Sequence, residues 1–374
     1  MNLIFTCGGT AGHINPAIAV ANLMKQRYPD ANILFIGAVG KMEETLVPKA
    51  GYELKSLPAS GLSRKLSFSG IKQNLYAVKC VLGALSECKK IFKEFKPDAV
   101  IGTGGYASFP ALYAAQTMGI PTCVHEANAV PGVTTKLAAS KADRALVTFA
   151  DSVRYYKNPD KVEVVGMPVR QEFITTKKDE AKKALGVTGK PILVSAFGSL
   201  GAKVMNETMA DMMPLEQADG FPFHHIHATG SFGKEWMPQR VKDNGVDYEN
   251  CDSIDIREYI YNMPTVMAAA DVIIGRAGAS TCNELGACGT PCILIPSPNV
   301  TNNHQEKNAR VLESGGGAVV VLEKDCTPEG MYALVKELLA DENRRAEMGR
   351  KLQSLVRLDS TERICDIIEE IIKK

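Results

Sequence analysis

Leu3-Ile4-Phe5-Thr6-Cys7-Gly8-Gly9-Thr10-Ala11-Gly12-His13 runs directly into an apolar-periodic stretch from Ala17 to Arg27. A short apolar run, a glycine turn and a helical period read as strand, tight turn and helix, the opening of a βαβ unit. The glycines let the backbone approach a ligand closely, and the N–H groups of a helix start suit a phosphate or sugar oxygen. The same grammar recurs along the chain. Apolar runs at Ile33–Ile36, Ala99–Ile101, Thr122–His125 and Ala145–Val147 predict further strands in the first half. Ile192–Phe197, Phe223–Ala228, Val272–Ile274, Cys292–Ile295 and Ala318–Leu322 predict a second set. Strands alternating with helices imply parallel sheets covered on both faces, and two sets imply two doubly wound α/β domains that bind ligands at the C-terminal ends of their strands. The Gly166-Met167-Pro168 turn marks the expected boundary, giving domains 1–165 and 166–344, with a last helix over 345–374 packing back across the cleft.

Length and composition agree with this reading. A chain of 374 residues suggests two domains, and 45% hydrophobic with 23% charged residues is ordinary for a soluble protein. Disorder, a collagen repeat and a multi-span membrane protein are excluded. With 43 basic against 42 acidic residues there is no global positive field for nucleic acid. The charge is unevenly spread: residues 1–150 hold 16 Lys and Arg against 9 Asp and Glu. Ten cysteines contain no CxxC pair, so scattered buried thiols are expected and no metal site. The start lacks the basic and long apolar regions of a signal peptide, and no apolar run is long enough to span a bilayer. These features predict a reduced, cytoplasmic protein.

Four strand–turn–helix junctions carry the chemistry. Gly8 to His13 has the composition of a dinucleotide fingerprint, but the second strand ends Phe35-Ile36-Gly37, without the acid that would hold a ribose hydroxyl. Gly102-Thr103-Gly104-Gly105-Tyr106 and His125-Glu126-Ala127-Asn128 follow two more strand ends, and with His13 they gather two histidines, Glu126, Asn128 and Tyr106 at one sheet edge. In the second half, Phe197-Gly198-Ser199-Leu200-Gly201-Ala202 resembles a shortened phosphate loop without the Lys-Ser/Thr of a P-loop. Gly275-Arg276-Ala277-Gly278-Ala279-Ser280-Thr281 opens a helix carrying Glu284, placed to hold a ribose diol or to serve the helix dipole. Asn302-Asn303-His304-Gln305-Glu306-Lys307-Asn308 adds amides nearby. Two half-sites without metal ligands suit a nucleotide-sugar donor on one domain and an acceptor on the other.

GGTAGH, TGGY, HEANAVPG, GMPVR, FGSLGA, GRAGAST with Glu284, and NNHQEKNA stand in the order typical of the MurG family, which the chain resembles over nearly its whole length. Those enzymes are UDP-N-acetylglucosamine:N-acetylmuramyl-(pentapeptide) pyrophosphoryl-undecaprenol N-acetylglucosaminyltransferases. The resemblance implies the two-domain GT-B fold and an inverting transfer of GlcNAc from UDP-GlcNAc to the muramyl 4-hydroxyl of lipid I, forming lipid II. It implies that Ser199 and its loop meet the diphosphate with Arg170 nearby, that the backbone of Ile260 reads uracil, and that Glu284 holds the ribose. Ala279, Ser280, Thr281, Cys282 and Asn283 would present helix N–H groups, His304 and Gln305 would bind the GlcNAc hydroxyls, and Thr10, Ala11, Gly12 and Asn128 would close on the donor sugar. Gly104, Gly105, Tyr106, His13, His125 and Glu126 would line the acceptor side. The chain departs from the family pattern at Ala127, Met167, Phe197 and Asn303, within the acceptor and phosphate loops.

The transfer needs a base on the acceptor hydroxyl and positive groups at the departing diphosphate. His13 is the leading candidate base, because imidazole titrates near neutrality, with Glu126 and His125 as competitors. Helix N-termini and Arg170 are expected at the leaving group, with no metal and no cofactor. The competing readings are a UDP-GlcNAc 2-epimerase, another glycolipid glycosyltransferase and a non-catalytic nucleotide-sugar-binding subunit. The implied acceptor places the protein peripherally on the cytoplasmic face of the membrane, against anionic lipid and within reach of a cell-wall synthesis complex. Arg64, Lys65, Lys72, Lys79, Lys89, Lys90, Lys93 and Lys96 rim a helical stripe of Ile71, Leu75, Val78, Leu82 and Leu85. The plain expectation for most of that stripe is core.

Overall fold

Leu3 and Phe5 enter one apolar cluster and Ile4 another, because successive side chains of a strand leave opposite faces of the sheet. A central parallel strand is therefore apolar throughout, which is why these runs are legible in the sequence. The computed structural model describes residues 1–59, 68–187, 189–300 and 303–373, with side chains throughout except at 68–71 and Tyr76. The chain forms two units: Met1–Arg170 with Arg357–Lys374, and Gln171–Val356.

The first unit holds seven parallel strands: β1 (Asn2–Thr6), β2 (Asn32–Ala38), β3 (Glu53–Leu57), β4 (Ala99–Gly102), β5 (Thr122–Glu126), β6 (Arg144–Val147) and β7 (Val162–Val164). Their order is β3-β2-β1-β4-β5-β6-β7, so the direction of winding reverses between β1 and β4. Helices α1 (Ala11–Arg27) and α2 (Glu43–Lys49) cover one face. Helices α3 (Phe68–Phe95), α4 (Ser108–Thr117) and α5 (Val133–Ala139) cover the other.

The second unit contains α6 (Glu172–Thr175), α7 (Lys178–Leu185), β8 (Ile192–Ala196), α8 (Lys203–Ala218), β9 (His224–Ala228), α9 (Met237–Asp243), β10 (Ile254–Arg257) and α10 (Met263–Ala269). It continues through β11 (Val272–Gly275), α11 (Ala279–Cys288), β12 (Cys292–Leu294), α12 (His304–Ser314), β13 (Ala318–Val320), α13 (Pro328–Ala340) and α14 (Glu342–Leu355). The sheet runs β10-β9-β8-β11-β12-β13, reversing between β8 and β11.

The stretch expected as one helix from residue 345 is two. Val356 is extended and packs on α11, where a Cβ at Gly286 would meet its Cγ1 at 2.4 Å. The final helix, α15 (Ser360–Ile372), belongs to the first unit. Its Ile364, Ile367, Ile368 and Ile371 are buried with Leu3, Phe5 and Ile14, and Arg27 reaches Asp366 at 2.6 Å and Glu369 at 3.0 Å.

The helical stripe on α3 corrects the plain expectation. Ala84, Cys88 and Phe92 face the sheet, whereas Leu75, Val78 and Leu82 are 68%, 53% and 62% exposed. Leu85 is half-buried against the core; Arg64, Lys65 and the side chain of Ile71 lie outside the described residues.

A polar chain runs through the core of the second unit. Ser195 Oγ lies 2.7 Å from both His225 Nε2 and His227 Nδ1, and His225 Nδ1 lies 2.8 Å from Glu216 Oε1. A serine hydroxyl can donate to one ring and accept from the other. All four residues are at most 1% exposed, so this triad-like set meets no substrate and ties β8 to β9 and α8. Burial pushes the His227 imidazole well below its ordinary range. Its neutral form is then favoured when folded, while the unfolded chain takes up a proton near pH ~6.5. Stability is therefore full above that pH and is expected to fall below it by about 1.4 kcal/mol per pH unit for this one group. Denaturant melts of the second unit between pH 7.5 and 5.5 check the slope; His227→Gln is expected to flatten it, and an unchanged slope refutes the assignment.

Candidate functional site

Ligand crevices of doubly wound sheets open where the winding reverses, beyond the strand C-termini. In the first unit this point lies between β1 and β4, and both strands end in glycine turns that lean on each other. A Cβ on Gly105 (φ +83°) would come 2.4 Å from Gly8 O, and one on Gly104 (φ +103°) would come 2.8 Å from His13 Nδ1. Only glycine fits either place. The Tyr106 ring lies against Gly9, where a Cβ would stand 3.9 Å from its Cε1.

His13 sits in the first turn of α1, half-buried, its N–H bonded to Thr10 O at 3.0 Å. Its Nδ1 lies 3.1 Å from Thr103 O, while Thr103 Oγ1 donates to His13 O at 2.6 Å. A carbonyl oxygen only accepts, so Nδ1 carries the proton in the neutral ring and the basic lone pair falls on Nε2. Thr10, Ala11 and Gly12 form the surrounding turn, with no side chain capping the helix.

The two competing bases are both buried in the first unit. His125 is 1% exposed, its Nε2 donating to Gly166 O at 2.8 Å, and burial holds its imidazole below the ordinary range. Glu126 is 3% exposed. Its Oε1 accepts from the backbone and side-chain amides of Asn128 at 3.0 and 3.1 Å, and its Oε2 accepts from Gly132 N at 3.0 Å. The carboxylate shapes the Asn128–Gly132 loop, which Ser152 closes from below through the Asn128 and Ala129 carbonyls. His125 Nδ1 is buried without a hydrogen-bond partner among the described residues, whereas both Glu126 oxygens are engaged by the Asn128–Gly132 loop.

In the second unit the reversal lies between β8 and β11. The loop after β8 folds on Gly198 (φ +91°) and Gly201 (φ +79°). A Cβ on Gly201 would come 2.1 Å from Thr229 O, so this loop interlocks with the turn after β9. Ser231 N donates to Ser199 O at 3.2 Å, and Asn206 Nδ2 holds Thr229 O at 2.7 Å. The half-buried Ser199 is thereby fixed at the mouth of α8.

After β11, Gly278 caps α11 without a side chain, leaving the first-turn N–H groups of Ala279, Ser280 and Thr281 pointing out of the helix end. Cys282 N already bonds Gly278 O at 2.9 Å, and Asn283 Nδ2 turns back to Ala279 O at 2.9 Å. These two residues, expected among the phosphate donors, are core residues; burial pushes the Cys282 thiol up to about 12. Glu284 is half-buried one turn along. Gln305 Oε1 accepts from Ser297 N at 2.9 Å, His304 opens α12, and buried Asn308 clamps that helix to Ala277 O at 3.1 Å. Asn303 takes the left-handed conformation, φ 52°; Asn302 lies outside the described residues. Ile260 is buried between exposed Tyr259 and Tyr261, whose rings meet edge-on at 4.9 Å. Arg170 is the last residue of the first unit before the chain enters the second.

Sequence reasoning missed three organising residues. Glu43 Oε1 accepts from Gly9 N at 3.0 Å and thus props the first glycine turn. Arg276 pairs with Glu323, donates to Ile295 O at 3.1 Å and lies 5.9 Å over the Phe197 ring. Asn206 ties α8 to the turn after β9. Each acts across a long sequence separation, so no local pattern announces the partner, even for Arg276 inside the GRAGAST motif; Gly37, whose Cβ would strike Glu43, is the one local trace.

The described families match in the same two halves. Glycosyltransferase family 28 N-terminal domain matches residues 3–147, and Glycosyltransferase family 28 C-terminal domain matches residues 192–370. The UDP-N-acetylglucosamine--N-acetylmuramyl-(pentapeptide) pyrophosphoryl-undecaprenol N-acetylglucosamine transferase of Acetivibrio thermocellus is 42% identical over 100% of this chain and 99% of its own. The crystal structure of Acinetobacter baumannii MurG superposes with a TM-score of 0.74 at 25% identity, covering 99% of both chains. A UDP-GlcNAc 2-epimerase from Neisseria meningitidis, bound to UDP-GlcNAc, shares the fold at TM-score 0.67 but only 16% identity, over 100% of this chain and 100% of its own. With one glycosyltransferase domain in each half and such identity over its full length, the chain belongs to the MurG family of N-acetylglucosaminyltransferases, hexosyltransferases of the GT-B fold.

Proposed function

We propose that His13 is the general base of the transfer and that the glycine-cornered turns of the second unit hold the donor. The activity is that of the family: GlcNAc moves from UDP-GlcNAc to lipid I, forming lipid II. The observation that carries the His13 reading is its Nδ1 bond to Thr103 O at a strand-reversal point, which leaves the basic lone pair of the neutral ring on Nε2. Nε2 takes the proton of the muramyl 4-hydroxyl as that oxygen attacks the anomeric carbon and UDP departs from the opposite side. Configuration at the anomeric carbon is thereby inverted. Gly104, Gly105 and Tyr106 form the acceptor wall beside His13, and Thr10, Ala11, Gly12 and Asn128 lie on the sugar.

The negative charge that develops on UDP falls to fixed dipoles and to Arg170. The uncapped first turn of α11 and the Ser199 loop supply N–H groups, which cost no reorganisation during reaction. Glu284 takes the ribose hydroxyls, the Ile260 backbone reads uracil with Tyr259 and Tyr261 offering ring faces, and His304 with Gln305 meets the GlcNAc hydroxyls. The 2-epimerase reading is disfavoured by full-length identity to a named transferase against fold likeness alone.

The acceptor side is membrane-directed in the same proposal. No helix among the described residues is long and apolar enough to cross a bilayer. What supports peripheral docking is the exposed row Leu75, Val78 and Leu82 on α3, flanked by Lys72 and Lys79, together with exposed Val133 and Leu137 on α5. Apolar side chains in the headgroup layer and lysines on anionic lipid add in such a surface, at about 1 kcal/mol per lysine. The cytoplasmic leaflet, where that lipid and a nucleotide sugar meet, and contact with a cell-wall synthesis complex belong to this reading.

Three outcomes are expected. Glu284→Ala loses charge-assisted hydrogen bonds of about 1.5–3 kcal/mol, raising donor KM roughly tenfold to a hundredfold; an unchanged KM removes Glu284 from the ribose. His13→Ala lowers kcat for lipid-I-dependent UDP release by about a hundredfold or more, with UDP-GlcNAc affinity by calorimetry unchanged. Collapsed donor binding with surviving turnover makes His13 a donor ligand instead. Replacing Lys72, Lys79, Lys89 and Lys90 by Gln removes most sedimentation with anionic vesicles, an attraction screened over about 8 Å at physiological salt, while leaving turnover of a short-chain soluble acceptor intact. Parental sedimentation of that variant moves the docking face elsewhere.

A further inference from the structure

Glu43 is a carboxylate with no exposure at all, at the start of α2 and remote from the motifs that name the family. Its Oε1 accepts from Gly9 N at 3.0 Å and from Ala38 N at 3.3 Å. These N–H groups stand just beyond β1 and at the last residue of β2, two neighbouring strand ends. Its Oε2 is buried without a hydrogen-bond partner among the described residues. Burying a carboxylate with one oxygen unsatisfied works against stability, so an apolar side chain would fill this space at lower cost. What an apolar side chain lacks is an acceptor for Gly9.

The sequence makes room for it. Gly37 lies under the Glu43 stem, where a Cβ would come 2.9 Å from Glu43 Cγ. The position at which a dinucleotide-binding sheet would carry its ribose-holding acid is thus a glycine, and the acid comes from the next helix to face the turn. The Gly9 N–H is committed to this chain's own carboxylate.

From Gly9 (φ +89°) the constraint passes in both directions along the turn. Gly8 is wedged against Ala107, whose Cβ a Gly8 Cβ would meet at 2.5 Å, and its carbonyl abuts Gly105. On the other side Thr10 O accepts from His13 N at 3.0 Å and Ile14 N at 3.3 Å. We propose that Glu43 is a positioning residue for sugar transfer: by holding Gly9 it fixes the turn that sets the His13 imidazole at the acceptor hydroxyl. This rests on the reading of His13 as the base.

The test is a double-mutant cycle on the full chain, with turnover of UDP-GlcNAc and lipid I and donor affinity by calorimetry. Glu43→Ala is expected to lower kcat roughly tenfold to a hundredfold, as for a reacting group displaced by about an ångström, with donor affinity within about twofold of the parent. Glu43→Gln keeps an amide oxygen for Gly9 N–H and is expected to restore most of kcat, which a loss through charge alone would not allow. In a His13→Ala background Glu43→Ala is expected to add almost nothing, since the group it positions is gone. A full additional loss in that background overturns the proposal and leaves the base reading standing. Parental kcat in His13→Ala alone removes the base reading, and the proposal with it. Should Glu43→Ala fail to fold, Gly37→Ala pushes the carboxylate aside while keeping it; a folded Gly37→Ala protein with parental kcat likewise overturns the proposal.

Discussion

Backbone meets backbone at the mouth of each sheet, at distances that no Cβ would permit. Gly8 against Gly105 in the first unit and Gly201 against Thr229 and Gly230 in the second bring loops from separate strands into direct contact. Parallel sheets force this arrangement. Every strand ends at the same edge, so the turns that follow compete for one small volume above it, and the two central turns can share it only by discarding side chains. Once they interlock, the N–H groups, His13 and Ser199 are placed by rigid scaffold rather than by flexible loops.

That constraint also explains how polar groups are used near the site. Buried acids and amides recur wherever a turn must be held: Glu43 under Gly9, Glu126 inside the Asn128–Gly132 loop, Asn206 on Thr229 and Asn308 on Ala277. Each satisfies backbone groups that leave the sheet and find no ladder partner. The same chemistry separates His13 from His125. Both donate to a carbonyl, but His13 is half-buried at the helix start while His125 is enclosed within β5. Two histidines of equal appearance in the sequence therefore differ in what they can reach.

The reading of the strands failed in a consistent way. β3, β7 and β10 were not expected, and all three are sheet edges. Their sequences, Glu53–Leu57, Val162–Val164 and Ile254–Arg257, mix charged with apolar residues because an edge strand is only partly covered. The α3 stripe erred in the opposite sense. Helical spacing identifies a coherent face but carries no information on what covers it, and here Leu75, Val78 and Leu82 are left outside while small residues such as Ala84 and Cys88 face the sheet.

The sequence by itself determined the strand–glycine–helix units, the two doubly wound sheets and the family, because these rest on local periodicity and on contiguous motifs such as GGTAGH and GRAGAST. It also marked the tight turns at the strand ends, since a glycine requirement is written at the position that needs it. Tertiary structure alone decided which motif residues face outward. Cys282 and Asn283 sit in the same motif as Ser280, yet helix geometry spends their polar groups inside α11. Only the folded chain brings α15 back onto the first unit or carries Glu43 to Gly9. The physical reason is separation along the chain. A hydrogen bond between residues 34 apart, or a helix returning after an entire unit, depends on how the sheet stacks its strands, and no local pattern of residue types encodes that distance.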